Sequence, residues 1–319
     1  MTQRAFLGMS HSPLWGLNPI SDEEQQALDT ATAQARAAVQ AFDPQLVVLL
    51  GPDHYHGFFN ELMPPFCIGS QATAVGDYLT PAGALNVDQA QSLALATHLI
   101  DAHFDIAISR RMEVDHGFSQ ALQLLWGDDL SRTPPLIPIF LNAVAQPGIA
   151  RLGRCRALGE AIGHFLDTLP LRTLLIGSGG LSHEPPVPTL EHPDPAVRQR
   201  ITIKSKPTPA EAAAKTERVK AAGMALAHGE SGMKPLNPEW DRRWMQLLAQ
   251  GDLQTMCAMP EASIAAEGGN SAHESKTWLV ARAALPSLDT QGRPLECPVF
   301  AYRAIPALIA GYGVMFMHT

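Results

Sequence analysis

Residues 46–59 read LVVLLGPDHYHGFF. Five consecutive apolar residues end at a Gly-Pro break, and two histidines follow. A continuous apolar run bounded by turn residues reads as a strand covered on both faces, the kind found in layered sheets. His54 and His56 therefore fall just beyond the carboxyl end of a buried strand. Three other runs share the pattern, AFLGM (5–9), LIPIF (136–140) and TLLIG (173–177), and DIAIS (105–109) is a weaker version. Helical patterns separate them. Ser21 can cap a helix whose first turn carries Asp22, Glu23 and Glu24, anions that suit the positive end of the helix dipole. Leu28, Ala31, Ala35, Ala38, Val39 and Phe42 then recur at helical spacing until Pro44. Segments 88–103 and 150–168 read the same way. Strand and helix thus alternate to about residue 180, which predicts an α/β fold with a layered sheet-and-helix core.

Beyond about residue 185 the pattern changes. Pro185, Pro186, Pro188, Pro193 and Pro195 punctuate an irregular stretch, and helical patterns follow at 209–229, 238–250 and 273–285. The expectation is one domain over 1–319, with the α/β core at about 1–185 and a more helical, irregular addition at about 186–319.

Composition narrows the function. The 319 residues carry a formal net charge of −8 and are 46% hydrophobic, enough apolar surface to offset the entropy of ordering the chain. No long Lys/Arg run is present, which argues against a nucleic-acid or anionic-membrane partner. Cys67, Cys155, Cys257 and Cys297 are scattered without a CxxC pair and read as buried thiols in a reducing compartment. The apolar stretch 5–9 is too short for a signal-peptide core, and no run approaches the ~18 residues of a membrane helix. A cytoplasmic protein is expected.

The histidines carry the functional signal. His11 follows the first strand, His54 and His56 the second, His116 lies in a turn after DIAIS, and His183 ends the glycine-rich GSGGLSH after TLLIG. Ligands in α/β sheets gather outside the carboxyl ends of the strands, so four strand ends would place several imidazoles around one cleft. Neutral imidazole is the commonest metal ligand, and two of them with a carboxylate form the facial triad of non-heme Fe(II) enzymes. The same set can hold zinc and a water. Glu274 in HESKTW is a carboxylate candidate, although a first-turn glutamate is also what a helix dipole favours. GSGGLSH lacks the GKS/T continuation of a phosphate loop and the GxSxG of a nucleophile elbow. It reads as a glycine turn that lets backbone approach closely and aims His183 inward.

Taken together, several strings resemble a known family. SHSPL (10–14), PDHYHGFF (52–59), MPPFC (63–67), VDHGF (114–118), LGEAIG (158–163), GSGGLSH (177–183), PPVP (185–188), PLNPEWD (235–241), HESKTW (273–278) and IPALIAGYG (305–313) run nearly end to end in the order of the class III extradiol catechol dioxygenases, the superfamily of the protocatechuate 4,5-dioxygenase catalytic subunit. The resemblance implies an α/β enzyme that uses Fe(II) and O2 to open a catechol ring beside the diol. It implies His11, His54 and Glu274 as iron ligands, His116 as proton donor and His183 as proton acceptor. The implied substrate is a catechol with a three-carbon acid side chain, 3-(2,3-dihydroxyphenyl)propionate or 2,3-dihydroxycinnamate, and relatives are usually homo-oligomers. His56 is a competing imidazole because positions two apart on a strand face the same way. Asp115, beside His116, is a possible partner for it. Two other readings stay open: a zinc-dependent hydrolase using the same histidines, and a binding protein that kept the fold without the chemistry.

Overall fold

The computed structural model describes residues 3–288 and 292–319. The four strong apolar runs form the centre of one eight-stranded sheet: β1 (Arg4–Met9), β2 (Leu46–Gly51), β8 (Leu136–Leu141) and β9 (Thr173–Ser178). Every residue of these strands is buried, as their unbroken apolar character requires. The intervening strands are β3 (Phe66–Gly69), β4 (Ala72–Val75), β5 (Ala82–Ala84), β6 (Ala107–Ser109) and β7 (Met112–Val114). The main sheet runs β10-β11-β1-β9-β2-β8-β3-β6, with β10 (Val299–Ile305) and β11 (Ala310–His318) at one edge. β1, β9, β2 and β8 are mutually parallel. β5, β4 and β7 make a separate small sheet.

Helices cover both faces. α1 (Asp22–Phe42) starts at Ser21 in a full capping box with Glu24, and α2 (Gln89–Asp101), α3 (His116–Trp126) and α4 (Leu152–Leu166) complete the amino-terminal set. After the proline-rich stretch come α5 (Pro195–Thr202), α6 (Pro209–Ala227), α7 (Pro238–Gln250), the short α8 (Leu253–Ala258) and α9 (Glu261–Ser263), and α10 (Lys276–Ala283). Strand alternation divides the core. Phe6, Val48, Leu50 and Leu175 pack with α2, α4, α7 and α10, whereas Leu7, Met9, Val47, Leu49 and Ile176 pack with α1 and α3.

The α/β class expected from the sequence is therefore observed, with two additions. α10 is not a surface helix: all eight of its residues are buried, and it lies against α4 and β9. The two carboxyl-terminal strands were not expected either. β11 pairs antiparallel with β1, Ala5 opposite His318, so the last strand lies beside the first. Gly311 and Gly313 weaken the strand signal of β11. They are needed there because a Cβ at Gly311 would sit 2.0 Å from Asp241 Oδ2, and one at Gly313 2.8 Å from Leu181. The four cysteines are free. Among the described residues, no helix is long and apolar enough to cross a membrane.

Candidate active site

The parallel strands deliver their carboxyl ends to one side of the sheet, and five polar segments meet there. β1 ends in Ser10 and His11. This loop is fixed where the Ser12 amide donates to Gln120 Oε1 at 2.8 Å and the Ser12 hydroxyl donates to the Leu308 carbonyl at 2.8 Å. β9 runs into the 179–183 turn, whose glycines admit the segment carrying Glu274. A Cβ on Gly179 would lie 2.5 Å from the Glu274 carbonyl oxygen, and one on Gly180 2.4 Å from the His183 ring. The glycines of GSGGLSH thus serve close approach, both to Glu274 and to the inward-folded imidazole.

Glu274 lies in a 3-10 turn, Asn270–Ser275, immediately ahead of α10, and is fully buried. Three imidazoles converge on its carboxylate. His54 Nε2 and His183 Nε2 each lie 3.1 Å from Oε1, and His11 Nε2 lies 3.4 Å from Oε2. The Gly180 amide donates to Oε2 at 2.9 Å. The far nitrogen of each ring is also engaged. His11 Nδ1 meets Ser178 Oγ at 3.1 Å, His54 Nδ1 meets Asp115 Oδ2 at 3.0 Å, and His183 Nδ1 meets the Leu181 carbonyl at 2.9 Å. A carbonyl or carboxylate can only accept, so Nδ1 carries a proton in His54 and His183, and Nε2 of each ring is the nitrogen turned toward Glu274.

His116 stands beside this group rather than on Glu274. Its ring stacks on His54, with centroids 4.5 Å apart, and its Nδ1 lies 2.6 Å from Asp77 Oδ2. It is the first residue of α3, and the turn expected after DIAIS is instead β7 followed by the Asp115 cap of that helix. Ligand nitrogens of His11, His54 and His116 lie within 4.8 Å of one another.

His54 and His56 are placed differently. β2 ends at Gly51, and Tyr55 adopts a left-handed φ of 61°, so the two histidines do not share a strand face. Both Nδ1 atoms reach Asp115 Oδ2 at 3.0 Å, but only His54 extends on to Glu274. His56 is instead part of the loop's frame. Asp53 accepts from the amides of His56, Gly57 and Phe58 and holds the loop closed.

The charges follow from burial and pairing. Burial pushes the His11 imidazole down to about 3, despite the nearby Glu274. At His54 burial also favours the neutral ring, but Asp115 and then Glu274 outweigh it and hold the pKa well above normal. At Glu274 burial opposes ionisation, and His183, His54 and His11 overcome it, so its carboxyl is held well below the usual range. No Lys or Arg ion-pairs with Glu274 among the described residues. A fully buried carboxylate compensated only by imidazoles, one of them neutral, fits a divalent cation among those donors. Two imidazoles and a carboxylate, with no thiolate, suit iron, manganese or zinc better than a soft metal.

Against known proteins, residues 5–313 match the family described as the catalytic LigB subunit of aromatic ring-opening dioxygenase. The chain belongs to that family. This dioxygenase is 73% identical, over 99% of its own length and 97% of the other's, to a Comamonas testosteroni protein named 2,3-dihydroxyphenylpropionate/2,3-dihydroxicinnamic acid 1,2-dioxygenase. Proteins with the same name from Mycobacterium sp. (strain MCS) and Cupriavidus pinatubonensis (strain JMP 134 / LMG 1197) are 48% and 45% identical, over 98% and 96% of this chain. The extradiol resemblance read from the sequence is thereby established.

Several residues of the dioxygenase site were missed or given another partner from the sequence. Asp77 lies 39 positions before His116, its partner. Asp115 serves His54 and His56, not the adjacent His116 side chain. Buried Asp241 accepts from the Ser182 amide and hydroxyl, both at 2.7 Å, and from Tyr302, fixing the turn that ends in His183. Asp53 could have been found, because an Asp followed closely by Gly is a turn signal. A groove of about 1490 Å³ opens elsewhere, at the amino ends of the strands beside Arg4, Gln45 and Arg172, and none of the five expected site residues lines it.

Proposed function

We propose that this dioxygenase cleaves 3-(2,3-dihydroxyphenyl)propionate and 2,3-dihydroxycinnamate, with Fe(II) held by His11, His54 and Glu274. The observation that carries this reading is the convergence of imidazole Nε2 atoms on one buried carboxylate, with each far ring nitrogen already engaged. Fe(II) held by these residues would supply a redox route around the spin barrier between triplet oxygen and a closed-shell ring.

The chain's own residues handle the protons. His183 accepts the proton of the second hydroxyl at Nε2, the nitrogen turned into the site because Nδ1 donates to the Leu181 carbonyl. Such a base contributes ~10²–10⁴-fold. His116 returns a proton as the ring opens, its ring held in place by Asp77 Oδ2 at 2.6 Å from Nδ1. His54 is kept in its Nε2 lone-pair tautomer by Asp115, an arrangement that raises ligand basicity. The bond broken lies between the carbon bearing the side chain and the neighbouring hydroxylated carbon. Both oxygen atoms enter the product, a hydroxy-keto dienedioate.

Asp115→Asn is expected to weaken iron retention by ~10–100-fold, read by competition with a chelator, since an amide no longer fixes the His54 tautomer electrostatically. Unchanged retention would remove Asp115 from this role. Loading the metal-free protein with Fe(II) or Zn(II) separates the dioxygenase from the hydrolase alternative. Oxygen uptake on adding substrate is expected with Fe(II) alone, and ester or ring-cleaved-acid hydrolysis with Zn(II) would support the alternative instead.

A further inference from the structure

The substrate proposed above carries a carboxylate, and the walls of the site are acidic: Asp53, Asp77, Asp115 and Glu274 surround the histidines. A free carboxylate entering such a site is repelled unless a cation meets it. None of the residues assigned so far supplies one.

The stretch from the end of α5 through α6 is pinned at two places. At its start, the Asn60 and Glu61 amides donate to the carbonyls of Ile201 and Thr202, close after the His54 loop, and Lys204 Nζ lies 2.5 Å from Glu113 Oε2 in β7, two positions before Asp115. At its far end, Asn18 donates from Nδ2 to the Lys220 and Ala307 carbonyls. There Gly223 packs so closely that a Cβ would lie 2.4 Å from the Ala307 oxygen and 2.8 Å from Leu14. Leu14 belongs to the loop that begins at His11. Residues 207–218 lie between these anchors.

Within α6 the packed stripe is Val219, Ala222 and Leu226, which lie against the apolar core at helical spacing. One turn toward the amino end, the same stripe continues to Lys215, four positions before Val219 and seven before Ala222. A lysine on the inward stripe breaks the amphipathic pattern, and such breaks mark functional positions. Lys215 is half-buried, and among the described residues it makes no ion pair or hydrogen bond. Arg218 flanks the same face, exposed and likewise unpaired. Lys215 lies close enough to His56, and Arg218 close enough to Tyr78, to interact with them through space. The Tyr78 ring meets His116 edge-on with centroids 5.2 Å apart.

We infer that Lys215, assisted by Arg218, binds the carboxylate of the substrate side chain and so selects acid-bearing catechols. This assignment rests on the substrate reading above. It makes α6 a specificity element and gives the unpaired lysine on its inward stripe a partner. Holding the carboxylate at the α6 side would also set which carbon of the ring carries the side chain past His54 and His116, and hence which bond beside the diol is opened.

The test compares two substrates on the Fe(II)-loaded enzyme, 3-(2,3-dihydroxyphenyl)propionate and 3-propylcatechol, which match in length but differ in charge. In the wild type, kcat/KM should favour the acid. In Lys215→Met that preference should fall by about 10- to 100-fold, the worth of one charge-assisted hydrogen bond, mostly through KM. Lys215→Arg should recover most of it, and Arg218→Met should lower it by less. A wild type that prefers the acid while Lys215→Met keeps the full preference overturns the anchor and leaves the substrate reading standing. Equal losses on both substrates in Lys215→Met also overturn it, by showing a structural role. A wild type with no preference overturns the substrate reading and the anchor together.

Discussion

Glu274→Ala is expected to leave the protein folded but unable to retain iron, and turnover of the catechol should fall by more than the ~10–100-fold that loss of a ligand's hydrogen-bond partner costs. Among the described residues, Glu274 supplies the only carboxylate on which His11, His54 and His183 all converge. Removing it strips the site of its anionic donor and leaves His54, whose proton affinity Glu274 helps to raise, without its inward partner. The backbone contacts that fix the turn do not depend on the carboxylate. Thr277 Oγ1 still donates to the Glu274 carbonyl and Trp278 Nε1 to the Gly179 carbonyl. Iron content by elemental analysis, with circular dichroism as the folding control, checks the expectation. A folded variant with full iron would remove Glu274 from the ligand set.

His183→Ala gives the opposite pattern: iron stays and cleavage is lost, by ~10²–10⁴-fold in kcat. The imidazole has two constraints behind it, the Leu181 carbonyl at Nδ1 and its own amide donating to the Gly268 carbonyl at 2.8 Å. These hold the ring where its Nε2 can take a proton. Substrate binding, followed under anaerobic conditions by the absorbance of the bound catecholate, should persist, although its onset should move to higher pH without the base. Activity within a few-fold of wild type would end the assignment of His183 as acceptor, and loss of iron would place it among the ligands.

The sequence exposed the parts of this molecule that obey simple periodicity. The four unbroken apolar runs became β1, β2, β8 and β9, and the capping pattern at Ser21 became the start of α1. Histidines after strand ends were legible because a parallel sheet sends those ends to one side. What stayed hidden depends on contacts between distant segments. Asp77 and His116 are 39 positions apart and meet only because the small sheet brings β4 beside β7. β11 was obscured by Gly311 and Gly313, whose missing side chains make room for Asp241 and Leu181. His54 and His56 were indistinguishable by strand spacing because the chain has already left the strand, and the left-handed turn at Tyr55 sends one of them to Glu274 and keeps the other at Asp115. Lys215 carried no signal of its own, because the packed stripe of α6 that it extends is visible only in the fold.

An enzyme that opens the ring of a side-chain-bearing catechol beside its diol with Fe(II) and O2 must place both oxygen atoms in its product. The most direct measurement loads the protein with Fe(II) without air, adds 3-(2,3-dihydroxyphenyl)propionate and then air-saturated buffer, and records oxygen uptake together with the mass of the product. One O2 consumed per substrate, with both atoms gained by a yellow ring-opened acid, is the predicted result. Oxygen uptake yielding a quinone with no oxygen incorporated, or no uptake at all, would contradict it.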